Sequence, residues 1–224
     1  MSSAPAQASS RAIFPLLAFA NFAVGMGAFV VVGVLTPVAT AFAISSADAG
    51  WMMTAYALVY TVASPILVAL SGKVDRQRVL TAGLVLFLMG ALLAALAPTY
   101  SILLVARMVM ALGGGLVTPV IATIAVAMSS PETRGAVLSR VFFGLTLSQV
   151  IGVPVGAWLG YALGWQSAFA IVAVLTALSL VLIIRSLPRG IVTPSASLAS
   201  LGALLVTPRL VLAVLFTALF IGGI

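Results

Sequence analysis

The chain has 224 residues, 63% of them hydrophobic and 6% charged, with a net charge of +7. Soluble domains run at about 45–50% apolar and about 25% charged residues. No water-soluble fold of this length hides that much apolar surface, so a bilayer must serve as the solvent. Cysteine and histidine are absent, which excludes disulfides, thiolate chemistry, the usual zinc sites and histidine as a proton carrier.

Met1 to Ser10 is small and polar, and a disordered cytoplasmic N-terminus is expected over residues 1–12. Helices are expected at about 13–37, 50–71, 79–97, 101–128, 138–161 and 166–185. Each is long enough to cross ~30 Å of hydrocarbon at ~1.5 Å per residue. The runs are continuously apolar, not alternating, which argues against a membrane barrel. Residues 188–208 hold Pro188, Pro194, Pro208 and several serines, and read as a central cytoplasmic linker. A seventh helix starts near Arg209 and is still running at Ile224. The expected organisation is an all-α membrane protein with a six-helix bundle over 13–187, the linker, and a truncated start of helix seven over 209–224.

The charges set an orientation. Of the 10 lysines and arginines, every one except Arg107 lies in alternate loops or flanks. The other set of loops holds only Asp48. The positive-inside rule then places the N-terminus in the cytoplasm. Trp51, Tyr100, Trp158, Tyr161 and Trp165 fall near the opposite ends of their helices, as an interfacial belt would.

A weak repeat links two helices. GVLTPV runs from Gly33 to Val38 and GLVTPV from Gly115 to Val120. These helices cross in opposite directions, as inverted three-helix units would.

Three segments carry mechanism. The loop after the second helix reads SGKVDRQRVL, with Gly72 at a helix exit and Asp75 beside Arg76 and Arg78. Arg107 interrupts the apolar fourth helix ahead of Gly113, Gly114 and Gly115. A buried charge costs about 2.5–3.5 kcal/mol at mid-helix on insertion scales, so Arg107 either faces the bundle interior or snorkels outward. In the fifth helix Gly144, Ser148, Gly152, Gly156 and Gly160 recur every four residues, with Pro154 among them. Such a stripe lets helix backbones approach closely.

Together these segments resemble the signature motifs of the major facilitator superfamily, in order, over roughly residues 13–224. The loop is similar to glycine-x-x-x-aspartate-arginine-x-glycine-arginine-arginine, with the aspartate one residue early and Gln77 in place of the second glycine. Arg107 with its glycines resembles the second motif, and GVPVGAWLG the third, which marks drug and sugar antiporters. Gly152-Val153-Pro154 and GWQSAF resemble the arabinose-efflux branch. The resemblance implies the N-terminal half of a proton-coupled exporter in a bacterial inner membrane. Asp75, with Gly72, Arg76 and Arg78, would pair across helices and gate the cytoplasmic side. Arg107 would couple protons, and the glycine stripe would pack. The alternatives are a solvated loop that only fixes topology and a stripe that only packs. Relatives often carry an acid in the first helix where this chain has Ala28, within GMGAF, so local carboxylate coupling is not expected here.

Asn21, Met26, Phe29, Tyr56, Tyr60 and Gln149 are candidates to line a substrate cavity, or else to bond or pack between helices. No catalytic constellation and no phosphate loop is present, so neither an enzyme nor a nucleic-acid binder is expected. The expected partners are the bilayer, a small-molecule substrate, and a missing C-terminal half or a second copy. The energy source is a proton gradient, with no cofactor or metal. A second expectation is a truncated, transport-inactive half acting as a fragment or interaction partner.

Overall fold

The computed structural model describes residues 4–191 and 212, with side chains described from residue 13. Six helices are present among them: α1 (Ala4–Ala41), α2 (Ser46–Leu70), α3 (Arg76–Ala95), α4 (Tyr100–Ala127), α5 (Arg134–Ala162) and α6 (Trp165–Ser186). Their membrane-crossing stretches run from 20 to 29 residues and are apolar enough to span. The protein is an all-helical, multi-pass membrane protein. Apart from Leu212, the expected seventh helix over 209–224 falls outside the described residues, as does most of the linker.

Helix starts differ from expectation where caps decide them. Ser45 begins α2 ahead of residue 50: its hydroxyl oxygen accepts the Asp48 N–H at 3.0 Å. Asp75 begins α3 ahead of residue 79, accepting the Gln77 N–H at 2.8 Å. Arg134 and Arg140, expected between α4 and α5, lie in the first turns of α5. The N-terminal segment expected to be disordered is helical from Ala4. Its alanines favour helix, and Pro5 sits in the first turn, where no N–H is missed.

Helix pairing follows an internal symmetry. α1 packs on α5 and α4 on α2; α1 also packs on α6 and α4 on α3, while α3 and α6 meet each other. Exchanging α1–α2–α3 for α4–α5–α6 reproduces every one of these pairs, as inverted repeats require. The repeated glycines confirm the match. Gly33 abuts α5 at Val153 and Ala157, and Gly115 abuts α2 at Ser64.

At one end Phe42 packs against Tyr100 and Trp165, with ring centroids 6.1 and 5.4 Å apart. Trp165 is only 4% exposed, so it belongs to the core and not to the expected belt. Trp51, Trp158 and Tyr161 do project outward. Trp165 follows Gly164, whose φ of 89° turns the chain tightly into α6 and aims the ring inward.

Candidate functional site

Two helix seams and one loop bring together most of the residues singled out in the sequence. The first seam is α2 against α4. Arg107 is 1% exposed, so it does not snorkel. Its Nη1 donates to the Gly27 carbonyl of α1 at 2.6 Å and its Nε to the Met52 carbonyl of α2 at 3.5 Å. The guanidinium carbon lies 4.4 Å from the centre of the Tyr56 ring. One cation thus ties α1, α2 and α4 together. Carbonyl dipoles and the ring quadrupole offset its lost hydration. None of the chain's 3 acidic residues, Asp48, Asp75 and Glu132, partners it.

The seam continues along α2 at four-residue intervals. Tyr56 stacks on Tyr60 with ring centroids 6.0 Å apart. Thr118 of α4 is within hydrogen-bonding reach of the Tyr60 hydroxyl. The Ser64 hydroxyl donates to the Gly115 carbonyl at 2.7 Å. The three consecutive glycines of α4 each admit a different neighbour: Gly113 the backbone of α3 at Phe87, Gly114 the Tyr56 hydroxyl, Gly115 Ser64. A Cβ at any of these positions would displace its neighbour.

The second seam is α1 against α5, and it is built from absence of side chain. Gly144 lies on the Ala18 carbonyl, Ser148 beside Gly25, Gly152 on Phe29, Gly156 on the Val30 carbonyl, and Gly160 on Val34 and Pro37. All five stripe residues are buried, while Pro154 faces outward. The stripe is therefore the contact line between the two helices.

The substrate-cavity candidates do not stay together. Tyr56 sits beside Arg107 and stacks on Tyr60, both half-buried. Asn21 is 0% exposed and donates from Nδ2 to the Val141 carbonyl of α5 at 3.3 Å. Met26 is 2% exposed and belongs to the core. Phe29 packs on Gly152, and Gln149 points outward from α5. A cavity of about 1080 Å³ lies instead at the ends of α1 and α5, lined by Phe14, Met128, Thr133, Arg140 and Phe143 among others. None of the six candidates lines it. Helix polarity alone could not say which face a residue takes, because core and lipid are both apolar.

The loop between α2 and α3 is ordered by its own backbone contacts. Asp75 Oδ1 accepts the N–H groups of Gln77 and Arg78 at 2.8 and 3.3 Å, and Oδ2 accepts the N–H of Gly190 beyond α6. Desolvation pushes the Asp75 carboxyl up, but these N–H groups and the Arg78 charge outweigh it and hold it below its ordinary value. Arg76 is buried, its guanidinium turned back to the Ser71 and Gly72 carbonyls at 3.4 and 3.5 Å. Gly72 is buried too, and Arg78 is exposed. Among the described residues no group of acids comes together to hold a metal.

Sequence reasoning missed Ser64, Gly25, Gly27 and Gly190. The spacing Met52, Tyr56, Tyr60, Ser64 was a signal for the first. The other three act through backbone or through lack of a side chain.

An inverted-repeat bundle of six spanning helices, with a cation locked among three of them, is the architecture of a membrane transporter domain. The chain matches the Major Facilitator Superfamily over residues 17–224, and it belongs to that family. It is 36% identical to the uncharacterized MFS-type transporter YbcL of Bacillus subtilis, over 77% of this chain and 44% of that one. It is 31% identical to a probable sugar efflux transporter of Mannheimia succiniciproducens, over 93% and 52% of the two chains. It is also 31% identical to the inner membrane transport protein YdhP of Escherichia coli, over 94% and 54%. The chain spans about half the length of the curated relatives it matches. Among solved structures, a peptide transporter POT superposes with a TM-score of 0.73 at 21% identity, over 94% of this chain and 47% of that one. The proton:xylose symporter XylE superposes at 0.70 and 17% identity, over 82% and 46%. At these identities the two structures establish the fold alone.

Proposed function

We propose that this chain forms the N-terminal half of a secondary transporter that exports a small molecule across a bacterial cytoplasmic membrane in exchange for protons. The observation that carries the reading is Arg107, a cation buried at the meeting of α1, α2 and α4 with carbonyls and a ring as its partners. A site of that kind is costly in lipid, and its default reading is functional. The arginine's counter-charge has no source among the three acids of this chain, so it comes from substrate or from the remainder of the transporter. Two halves rocking about a midplane site would expose it alternately to either side. Sugars are the first substrates to try, given the name of the Mannheimia relative. Drugs and metabolites are the next. The basic loops support a cytoplasmic N-terminus, α2–α3 loop and α4–α5 turn.

The test uses the native product in everted membrane vesicles, with labelled sugars and an imposed pH gradient. Uptake into the vesicles that collapses with the gradient supports the reading. Gradient-independent movement of every substrate tried would overturn proton antiport. An N-terminal tag that external protease removes from intact cells would reverse the orientation.

A further inference from the structure

We propose that Asp75, Gly190 and Ile191 form a clasp that returns the chain leaving α6 to the α2–α3 loop, and that holding this clasp is a role of the loop motif within its own half. Asp75 and the first two residues of α3 bind three places on the end of α6 and the chain that leaves it. The Asp75 carboxylate accepts the Gly190 N–H through Oδ2. The Arg76 N–H donates to the Ile191 carbonyl at 2.9 Å. The Gln77 side chain donates from Nε2 to the Ile184 carbonyl at 3.4 Å, in the last turn of α6, where carbonyls lack helical partners. The two oxygens of Asp75 thus divide their work: Oδ1 starts α3, and Oδ2 holds the chain after α6.

Gly190 has φ 86°, a conformation that an L side chain rarely takes. That conformation turns its N–H toward Asp75. A carboxylate accepting an N–H makes a charge-assisted bond, roughly twice as strong as a neutral one. The loop cannot yield easily, because the Arg76 guanidinium binds it back on the Ser71 and Gly72 carbonyls. Movement of the loop against α6 must break these bonds together. The chain is therefore held as far as Ile191, next to the motif that the resemblance assigns to gating. The clasp does not depend on whether, or what, the protein transports.

Amide exchange on the full chain in lipid nanodiscs, resolved residue by residue, tests this. Gly190 is exposed, so a slow amide there in the unaltered chain reports the clasp, and exchange at the free-peptide rate overturns it. Asp75→Ser keeps a good N-cap with a side chain too short to reach Gly190. It is expected to speed exchange at Gly190 and Arg76 about tenfold, with Gln77 and Arg78 still protected. Gly190→Ala is expected to open the same contacts from the other side. If Gly190 stays slow in Asp75→Ser, the carboxylate does not hold it. If Gln77 and Arg78 open along with Gly190 in Gly190→Ala, the loop is fraying as a whole and there is no clasp.

Discussion

The α1/α5 and α2/α4 seams occupy equivalent places in the two inverted units, yet they are built from opposite materials. Gly33 on α1 corresponds to Gly115 on α4, and each meets the partner helix directly. Two turns earlier, Gly25 meets Ser148 on one seam, and Arg107 meets Tyr56 on the other. The α5 stripe of Gly144, Ser148, Gly152 and Gly156 lies against α1 as Met52, Tyr56, Tyr60 and Ser64 of α2 lie along the other seam, at the same four-residue interval. One seam closes backbone on backbone. The other is propped apart by rings and a guanidinium. Backbone contact without side chains has no alternative arrangement close in energy, whereas a cation on carbonyls has several acceptors to choose from. The comparison assigns permanence to the first seam and change to the second.

The largest effect expected is a difference between the two repeated glycines. A methyl at Gly33 runs into the backbone of Val153 and Ala157, which cannot move aside. A methyl at Gly115 lies 3.2 Å from the Ser64 Cβ, tight but adjustable. Gly33→Ala should cost about 3 kcal/mol and most of the folded yield, and Gly115→Ala about 1 kcal/mol. Unfolding by SDS titration in mixed micelles measures both. Equal costs would dissolve the distinction between a rigid and an adjustable seam.

Arg107 should separate stability from activity. Replacing a buried charge with an apolar residue of similar volume is often neutral or stabilising. The carbonyls of Gly27 and Met52 lie within helices, so they keep their helical N–H partners. Arg107→Met should therefore fold within about 1 kcal/mol of the native chain while losing gradient-driven transport in vesicles. A severe loss of folding would make Arg107 a structural cross-link. Full transport would remove it from the mechanism.

How much of this was legible follows from what lipid does to sequence signals. The six spans stood out because each is a long apolar run between breaks that carry a charge, a proline or, before α6, Gly164. The α5 stripe stood out because glycine is distinctive at any interval. The α2 stripe has the same interval, but its mixed chemistry conceals it, and Ser64 was passed over. That Met26 is buried and Gln149 faces outward was not legible, because a membrane helix has apolar surroundings on every side, so polarity no longer marks the inward face. For Arg107 the sequence left interior and outward placements open, and its partners are carbonyls of Gly27 and Met52, which no side-chain pattern reports. The starts of α2 and α3 were set late because Ser45 and Asp75 sit in polar stretches that read as loop, although both are ordinary caps.

The aromatic prop offers a finer test. Tyr56→Phe keeps the ring under the Arg107 guanidinium and removes the hydroxyl that lies against Gly114. Tyr56→Ala removes both. A desolvated cation on an aromatic face gains about 2 kcal/mol, so the alanine variant should be destabilised by at least that much and the phenylalanine variant by far less. Similar losses in the two would place the weight on the hydroxyl and not on the ring.

The smallest contrast compares the two serines at the stripe positions. Ser64 donates across its seam to the Gly115 carbonyl, so Ser64→Ala should cost about 0.6 kcal/mol, the average for a hydrogen bond between membrane helices. Ser148 donates within its own helix to the Leu145 carbonyl at 2.6 Å. Ser148→Ala removes no hydrogen bond that joins α5 to α1. No loss is expected there. The same unfolding titration, run on both variants and on the double variant, checks the pair. A cost at Ser148 equal to that at Ser64 would mean that the α1/α5 seam depends on polar contact at its stripe as well as at Asn21, and close backbone approach would no longer account for the stripe.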